Sequence, residues 1–137
     1  MKICILTHTL PRFKKDTNSA SFISELAESL SKQGHSVVVL APFDPLFQKY
    51  NRTFQLITYK YIWPTSLHVS GYSRVLGGDK KMKPHMYIVS SLMSLSALIH
   101  LIRLSKKHKF DVISAHWAIP NGVIAYLASR FTRIPYT

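Results

Sequence analysis

A chain of 137 residues is enough for one domain with a real core and too short for two. A hydrophobic share of 47% argues against disorder. The 18 Lys+Arg against 6 Asp+Glu leave a net charge of +12, a field that favours nucleic acid, acidic lipid headgroups or a phosphorylated small molecule as partner. The excess is spread along the chain. Its densest pieces are Arg12 to Lys15, Lys80 to Lys83 and Arg103 to Lys109, each of which also reads as a solvated basic face.

Ile3-Cys4-Ile5-Leu6 is a continuous apolar run, the pattern of a strand covered on both faces. The four apolar residues after Met1-Lys2 are too few for a signal peptide, so none is expected. Cys4, the only cysteine, reads as a small core residue and can form no intrachain disulfide. From Ser19 to Gln33, Phe22, Ile23, Leu26, Ala27 and Leu30 make one helical stripe. Gly34 follows as a natural stop, since glycine enters the left-handed region without steric cost. Val37 to Ala41 is the second buried strand, and Phe54 to Tyr61, β-branched and aromatic, is a third nearer an edge.

Residues 63 to 85 read as a long loop, of a length that is usually functional or mobile. A helix over Pro84 to His108 follows, with Lys106, Lys107 and His108 where cations suit the helix dipole. Its stretch 86–102 has no formal charge and is at the bottom of the membrane-spanning range. Five polar residues within it favour a buried crossover helix instead. His100 and His108 lie roughly 12 Å apart on that helix, too far to grip one metal, and no metal site is expected. The last elements are a strand at Val112-Ile113, a helix from about Pro120 to Phe131, and Ile134 to Thr137, which reads as the start of a fifth strand cut short.

Strands alternating with helices imply an α/β fold, a Rossmann-like doubly wound parallel sheet. With the usual order 3-2-1-4-5, the first and fourth strands are neighbours and the winding reverses between them. Ligands bind at that switch point, outside the carboxyl ends of the strands. The loops leaving it are Thr7 to Pro11 and His116 to Gly122, so each strand ends in a histidine facing one crevice. A histidine there can instead cap backbone groups, and Trp117 can be a plug under a loop. The segment Thr7 to Ser21 holds no glycine, which excludes a dinucleotide-binding turn, and no P-loop is present.

Three stretches, "MKICILTHTLPR", "ELAESLSKQGHSVVVLAP" and "FDVISAHWAIPNGVIAYLASRFTRIPY", resemble the amino-terminal domain of family-4 (group 1) retaining glycosyltransferases, as does "GYSRVLGGDKKMKP". The resemblance covers essentially the whole chain. It implies one half of a GT-B architecture, in which this domain binds the acceptor and a second domain, absent from these residues, binds the nucleotide-sugar. No cofactor and no essential metal are implied. Many members carry a Gly-Gly pair where this chain has Asp16 to Ser21, which puts the close backbone approach of glycine in doubt, although helix N-terminal amides can still hold an anion.

His116 matches a family position near the reacting sugars, where it would orient an acceptor hydroxyl or help remove its proton. Thr7, His8, Asn18, Ser19, Trp117 and Asn121 are the candidate acceptor-binding residues. The expected function is transfer of a hexosyl group to a glycan or lipid-linked acceptor at the cytoplasmic face of a membrane, by a complete enzyme of which residues 1–137 alone are inactive. The positive charge, the long helix and the loop around Trp63, Tyr72 and Lys80 to Lys83 point to peripheral contact with an anionic membrane. The rivals are a non-enzymatic basic module binding membrane or nucleic acid, and another two-domain sugar-nucleotide enzyme such as an epimerase. Nucleic acid is disfavoured, because the basic residues are not interleaved with aromatics in a reading motif.

Overall fold

The computed structural model describes residues 1–14, 16, 19–48, 50–64, 68 and 84–137; of 84–86 it describes the backbone. Four strands, β1 (Lys2–Leu6), β2 (Ser36–Pro42), β3 (Gln55–Tyr59) and β4 (Val112–Ala115), form a parallel sheet in the order β3-β2-β1-β4. Ile3 pairs with Val37 on one side and with Val112 on the other, which makes β1 the central strand expected of its unbroken apolar run. The chain end continues the expected order. Ile113 donates to Pro135 O at 2.9 Å and Ala115 to Thr137 O at 2.8 Å, so the fifth segment pairs with β4.

Alternation along β1 and β2 divides the core between two faces. Ile3, Ile5, Val37 and Val39 meet Ile23 and Ala27 of helix α1 (Ser21–Lys32). Cys4, Leu6, Val38 and Leu40 meet Met93, Ala97 and Leu101 of helix α2 (Pro84–His108) and Ile124, Ala125 and Ala128 of helix α3 (Val123–Thr132). Burial pushes the Cys4 thiol up to about 12, so it behaves as the apolar core residue it resembles. Gly34 ends α1 with φ 85°. Its N–H bonds Ser31 O at 3.0 Å and that of His35 bonds Leu30 O at 3.2 Å, the paired bonds of a Schellman stop.

Two expectations about helix faces need correction. Phe22 and Leu26 are exposed and do not join the core stripe of α1, which runs through Ile23, Ser24 and Ala27. The crossover helix α2 is buried along one stripe only, through Val89, Met93, Ala97, Leu101 and Ser105, while Tyr87, Ile88, Leu92, Leu95 and Ile99 face outward. It is long and apolar enough to cross a membrane, with a mean hydropathy of 1.6 over its most apolar stretch, yet that inner stripe packs on the sheet. Most of the long loop, including Tyr72 and Lys80 to Lys83, lies outside the described residues; Trp63 at its start is 87% exposed.

Candidate functional site

The carboxyl ends of β1 and β4 lie side by side, as the switch point requires. The backbone of Thr7 donates to Leu40 O at 3.1 Å, and that of His116 donates to Leu6 O at 3.0 Å. The ladder therefore runs to the last strand residue and releases both histidine side chains together at the mouth of the sheet.

A wide turn over Ala118–Gly122 shapes one wall. Trp117 has φ 72°, a conformation that a bulky residue holds only when its surroundings enforce it, at a strain of about 1–3 kcal/mol. Two bonds enforce it here. Gly122 N–H reaches back to Trp117 O at 3.1 Å, and the Asn121 amide donates to His116 O at 2.7 Å. The result turns the indole toward the crevice, where it lies 4.5 Å from the His8 ring and is 39% exposed. Trp117 is thus a wall of the site rather than a plug beneath a loop.

Asn121 is almost fully buried and serves both histidines. Because His116 O can only accept, the Asn121 NH2 must face it. The second amide hydrogen then points at His8 Nδ1, 3.2 Å away. That contact makes His8 Nδ1 an acceptor and places the ring proton on Nε2. Protonating His8 would set two donors face to face. Burial lowers the pKa of His8 and of His116 below the ordinary imidazole value, so both rings favour the neutral form.

The His116 ring caps no backbone group among the described residues. Its Nε2 is buried without a hydrogen-bond partner there, and an unmet buried nitrogen typically costs about 1–3 kcal/mol. The Phe22 ring completes the cluster, 5.8 Å from His116 and 6.0 Å from Trp117. Phe22 escaped the sequence reading because its helical spacing assigns it to the core stripe. In the fold it stands at the start of α1, over the mouth of β4.

The other candidates divide. Thr7 is fully buried, and its hydroxyl donates to Thr9 O at 2.7 Å, so its side chain holds the turn. Ser19 Oγ donates to Asp16 Oδ2 at 2.9 Å inside a buried network. Asn18 lies outside the described residues. The same network corrects the reading of Arg12 as solvated surface. The Arg12 side chain is buried, with Nε 2.7 Å from Asp16 Oδ2 and a guanidinium nitrogen 3.9 Å from Asp44 Oδ2. Burial pushes the Asp16 carboxyl up, but bonds from Arg12 and Ser19 outweigh it and hold it at about 2. The Arg12–Asp44 contact ties the loop after β1 to the loop after β2. No group of three or more His, Cys, Asp or Glu among the described residues is placed to hold a metal ion.

A chain with this sheet, this switch point and paired histidines at it can be compared with known proteins. The glycosyltransferase family 4 model matches residues 19–137. The chain belongs to that family. Its fold is shared with a glycosyltransferase from Rickettsia africae ESF-5, at 14% identity and a TM-score of 0.53, covering 98% of this chain and 28% of that one. Acinetobacter baumannii MurG is similar at 18% identity and a TM-score of 0.50, covering 98% and 34%. The chain therefore spans about a third of the length of these solved structures. No curated protein matches its sequence. Within the family-4 fold, the cluster of His8, His116, Trp117 and Asn121 sits at the carboxyl edge of the sheet.

The two depressed imidazoles give this site a pH signature. The unfolded chain takes up protons first, at about pH 6.5, so stability is full above that value and declines as pH falls toward the lowered folded-state values. His8→Gln keeps a hydrogen-bonding side chain but cannot titrate, and is expected to flatten part of that decline. Melting temperatures between about pH 7.5 and pH 5 check this. A variant as acid-sensitive as the parent would show that His8 is not held neutral by its site.

Proposed function

We propose that these residues form the acceptor-binding half of a retaining glycosyltransferase, one that moves a hexosyl group from a nucleotide-sugar to a glycan or lipid-linked acceptor. The observation that carries the reading is the pairing of His8 and His116 at the carboxyl ends of β1 and β4 of a family-4 domain, beside the part-exposed Trp117. In this mechanism the acceptor hydroxyl donates to the neutral His116 ring, which orients the oxygen and takes up its proton as the new glycosidic bond forms; the bond from the anomeric carbon to the donor's phosphate oxygen breaks, and the nucleotide leaves with that electron pair. The His8 Nε2–H is left free to donate to a neighbouring hydroxyl. Trp117 and Phe22 offer apolar faces to the C–H side of a sugar ring, whose burial favours binding. Asn121 touches no substrate; it sets the His8 tautomer and the turn that carries His116.

The donor would be held by groups beyond residues 1–137, so these residues alone are expected to bind acceptor without turnover. No cofactor takes part, and transfer is expected to survive a chelator. The net charge of +12 supports work at the cytoplasmic face of an anionic membrane, where lipid-linked acceptors reside.

The test offers the intact protein labelled nucleotide-hexoses with glycan and lipid-linked acceptors, with and without a chelator. Label is expected in the acceptor with the donor's anomeric configuration retained. Release of an epimerised sugar, inversion at the anomeric carbon, or nucleic-acid binding with no transfer would each overturn the reading.

A further inference from the structure

Helices α2 and α3 run back against the parallel strands, so their carboxyl ends meet at the amino end of the sheet, opposite His8 and His116. A cavity of about 340 Å³ opens there, lined by Ser105, Lys106, Lys109, Phe110, Phe131, Thr132 and Ile134. That volume is at the small end of the ~300–1,000 Å³ typical of ligand cavities. The length of β4, roughly 13 Å, separates it from the crevice.

One lining residue breaks the pattern of its helix. The inner stripe of α2 is apolar at every fourth position, Val89, Met93, Ala97 and Leu101, and then reaches Ser105. Ser105 is 2% exposed, and its Oγ is buried with no hydrogen-bond partner among the described residues. Helical serine and threonine can meet this need by bonding the carbonyl one turn back. Ser94 donates in this way to Ser90 O at 3.0 Å, and Thr132 to Ala128 O at 2.8 Å. Ser105 does not. An unmet buried hydroxyl costs about 1–3 kcal/mol, which alanine would avoid in the same space. The helix dipole explains basic residues at this end, but gives no reason for a hydroxyl beneath them.

The other lining groups define what would meet it. Phe110 is buried against the core, Ile134 is half-buried, and Phe131 is an aromatic wall 68% exposed. Lys106 and Lys109 are exposed, and neither is ion-paired among the described residues. Asp111, the nearest acid along the chain, instead accepts from Lys2 N–H at 2.6 Å. From the buried end outward, the order is hydroxyl, apolar wall, cations. A matching ligand carries a polar atom, a flat ring and a negative charge in that same order. Two ammonium groups suit the two oxygens of a carboxylate. Phosphate sites draw on converging backbone amides, and here the Lys109 and Ile134 N–H groups are already bonded, to Ser105 O and to Thr132 Oγ1.

We propose that this cavity is a second ligand site, which takes a small aromatic carboxylate with a hydrogen-bonding group at its far end. Ser105 Oγ bonds that group, the ring packs among Phe110, Phe131 and Ile134, and Lys106 and Lys109 hold the carboxylate. The site is independent of what binds in the crevice at the other end of the sheet.

Isothermal titration of the intact protein with 4-hydroxyphenylacetate tests it. Binding is expected, and phenylacetate, which lacks the hydroxyl, should bind about tenfold more weakly, as for the loss of one hydrogen bond. Ser105→Ala should lower the affinity for 4-hydroxyphenylacetate to that of phenylacetate, and leave phenylacetate itself unaffected. Removing either member of a bonded pair then has the same effect as removing both. The uncharged 4-hydroxyphenylacetamide should bind more weakly than the acid. Lys106→Gln with Lys109→Gln should weaken the acid and not the amide; these surface changes keep the test open if Ser105→Ala is less stable. His116→Ala should leave binding unchanged. No binding of 4-hydroxyphenylacetate, equal affinity for the amide, undiminished affinity in Ser105→Ala, tighter binding of inorganic phosphate, or loss of binding in His116→Ala would each overturn the proposal.

Discussion

His116→Ala is expected to lower kcat of the intact enzyme by a factor of about 10² to 10⁴ while leaving the fold in place. The factor is that of a positioned acid-base or hydrogen-bonding group, and corresponds to roughly 3 to 5 kcal/mol of barrier. Stability is spared for reasons visible in the structure. The bond that anchors this position is made by the backbone N–H to Leu6 O, which alanine keeps. The ring belongs to neither core cluster, and its Nε2 makes no bond among the described residues. What disappears is an edge contact with Phe22, so the melting temperature should move little. The two readouts, kcat normalised to folded protein and melting temperature, separate the readings. Near-normal kcat with a clearly lowered melting temperature would make His116 a structural residue.

Asp16→Ala is expected to destabilise the domain by about 3–5 kcal/mol, because it removes the nearer carboxylate of a buried ion pair. Arg12 would lose the bonds to its Nε and its backbone N–H, at 2.7 and 3.1 Å, and Ser19 would lose the acceptor of its hydroxyl. Such a loss is a large part of the 5–15 kcal/mol that typically holds a domain folded. Asp16→Asn keeps an acceptor of the same shape without the charge and should lose less. The pH dependence has a defined sign. A carboxyl held at about 2 contributes stability that is full above the ordinary carboxylate range and is lost as pH falls through about 2, a loss that Asp16→Asn should not show. Urea unfolding measures both. A change below about 1 kcal/mol, the range of an exposed pair, would mean that Arg12 and Asp16 are solvated after all.

The sheet could be read from the chain because parallel strands covered on both faces announce themselves as unbroken apolar runs. Ile3 to Leu6 and Val37 to Ala41 became β1 and β2, and alternation with helices implied the order that places β1 beside β4. The bounds of α2 were visible too, since Pro84 opens it and three basic residues close it. Its orientation was not. A helix apolar nearly all round has no polar face to point at water, so spacing says little about which stripe meets the sheet. The same ambiguity put Phe22 in the core, although only the next residue, Ile23, is buried there. Arg12 looked like surface because charge in a sequence carries no sign of a partner brought close only by the fold. The paired histidines were legible through topology, whereas the device that orients them was hidden. Nothing in Asn121-Gly122 predicts that the asparagine reaches both His8 and the His116 carbonyl.

The placement of acceptor chemistry at this crevice is tested most directly by a crystal structure of the intact protein with its acceptor bound. The account predicts the reacting hydroxyl within about 2.6–3.2 Å of the His116 ring, with a sugar face against Trp117 or Phe22. An acceptor seated away from the ends of β1 and β4, with no contact to the His116 ring, would contradict it.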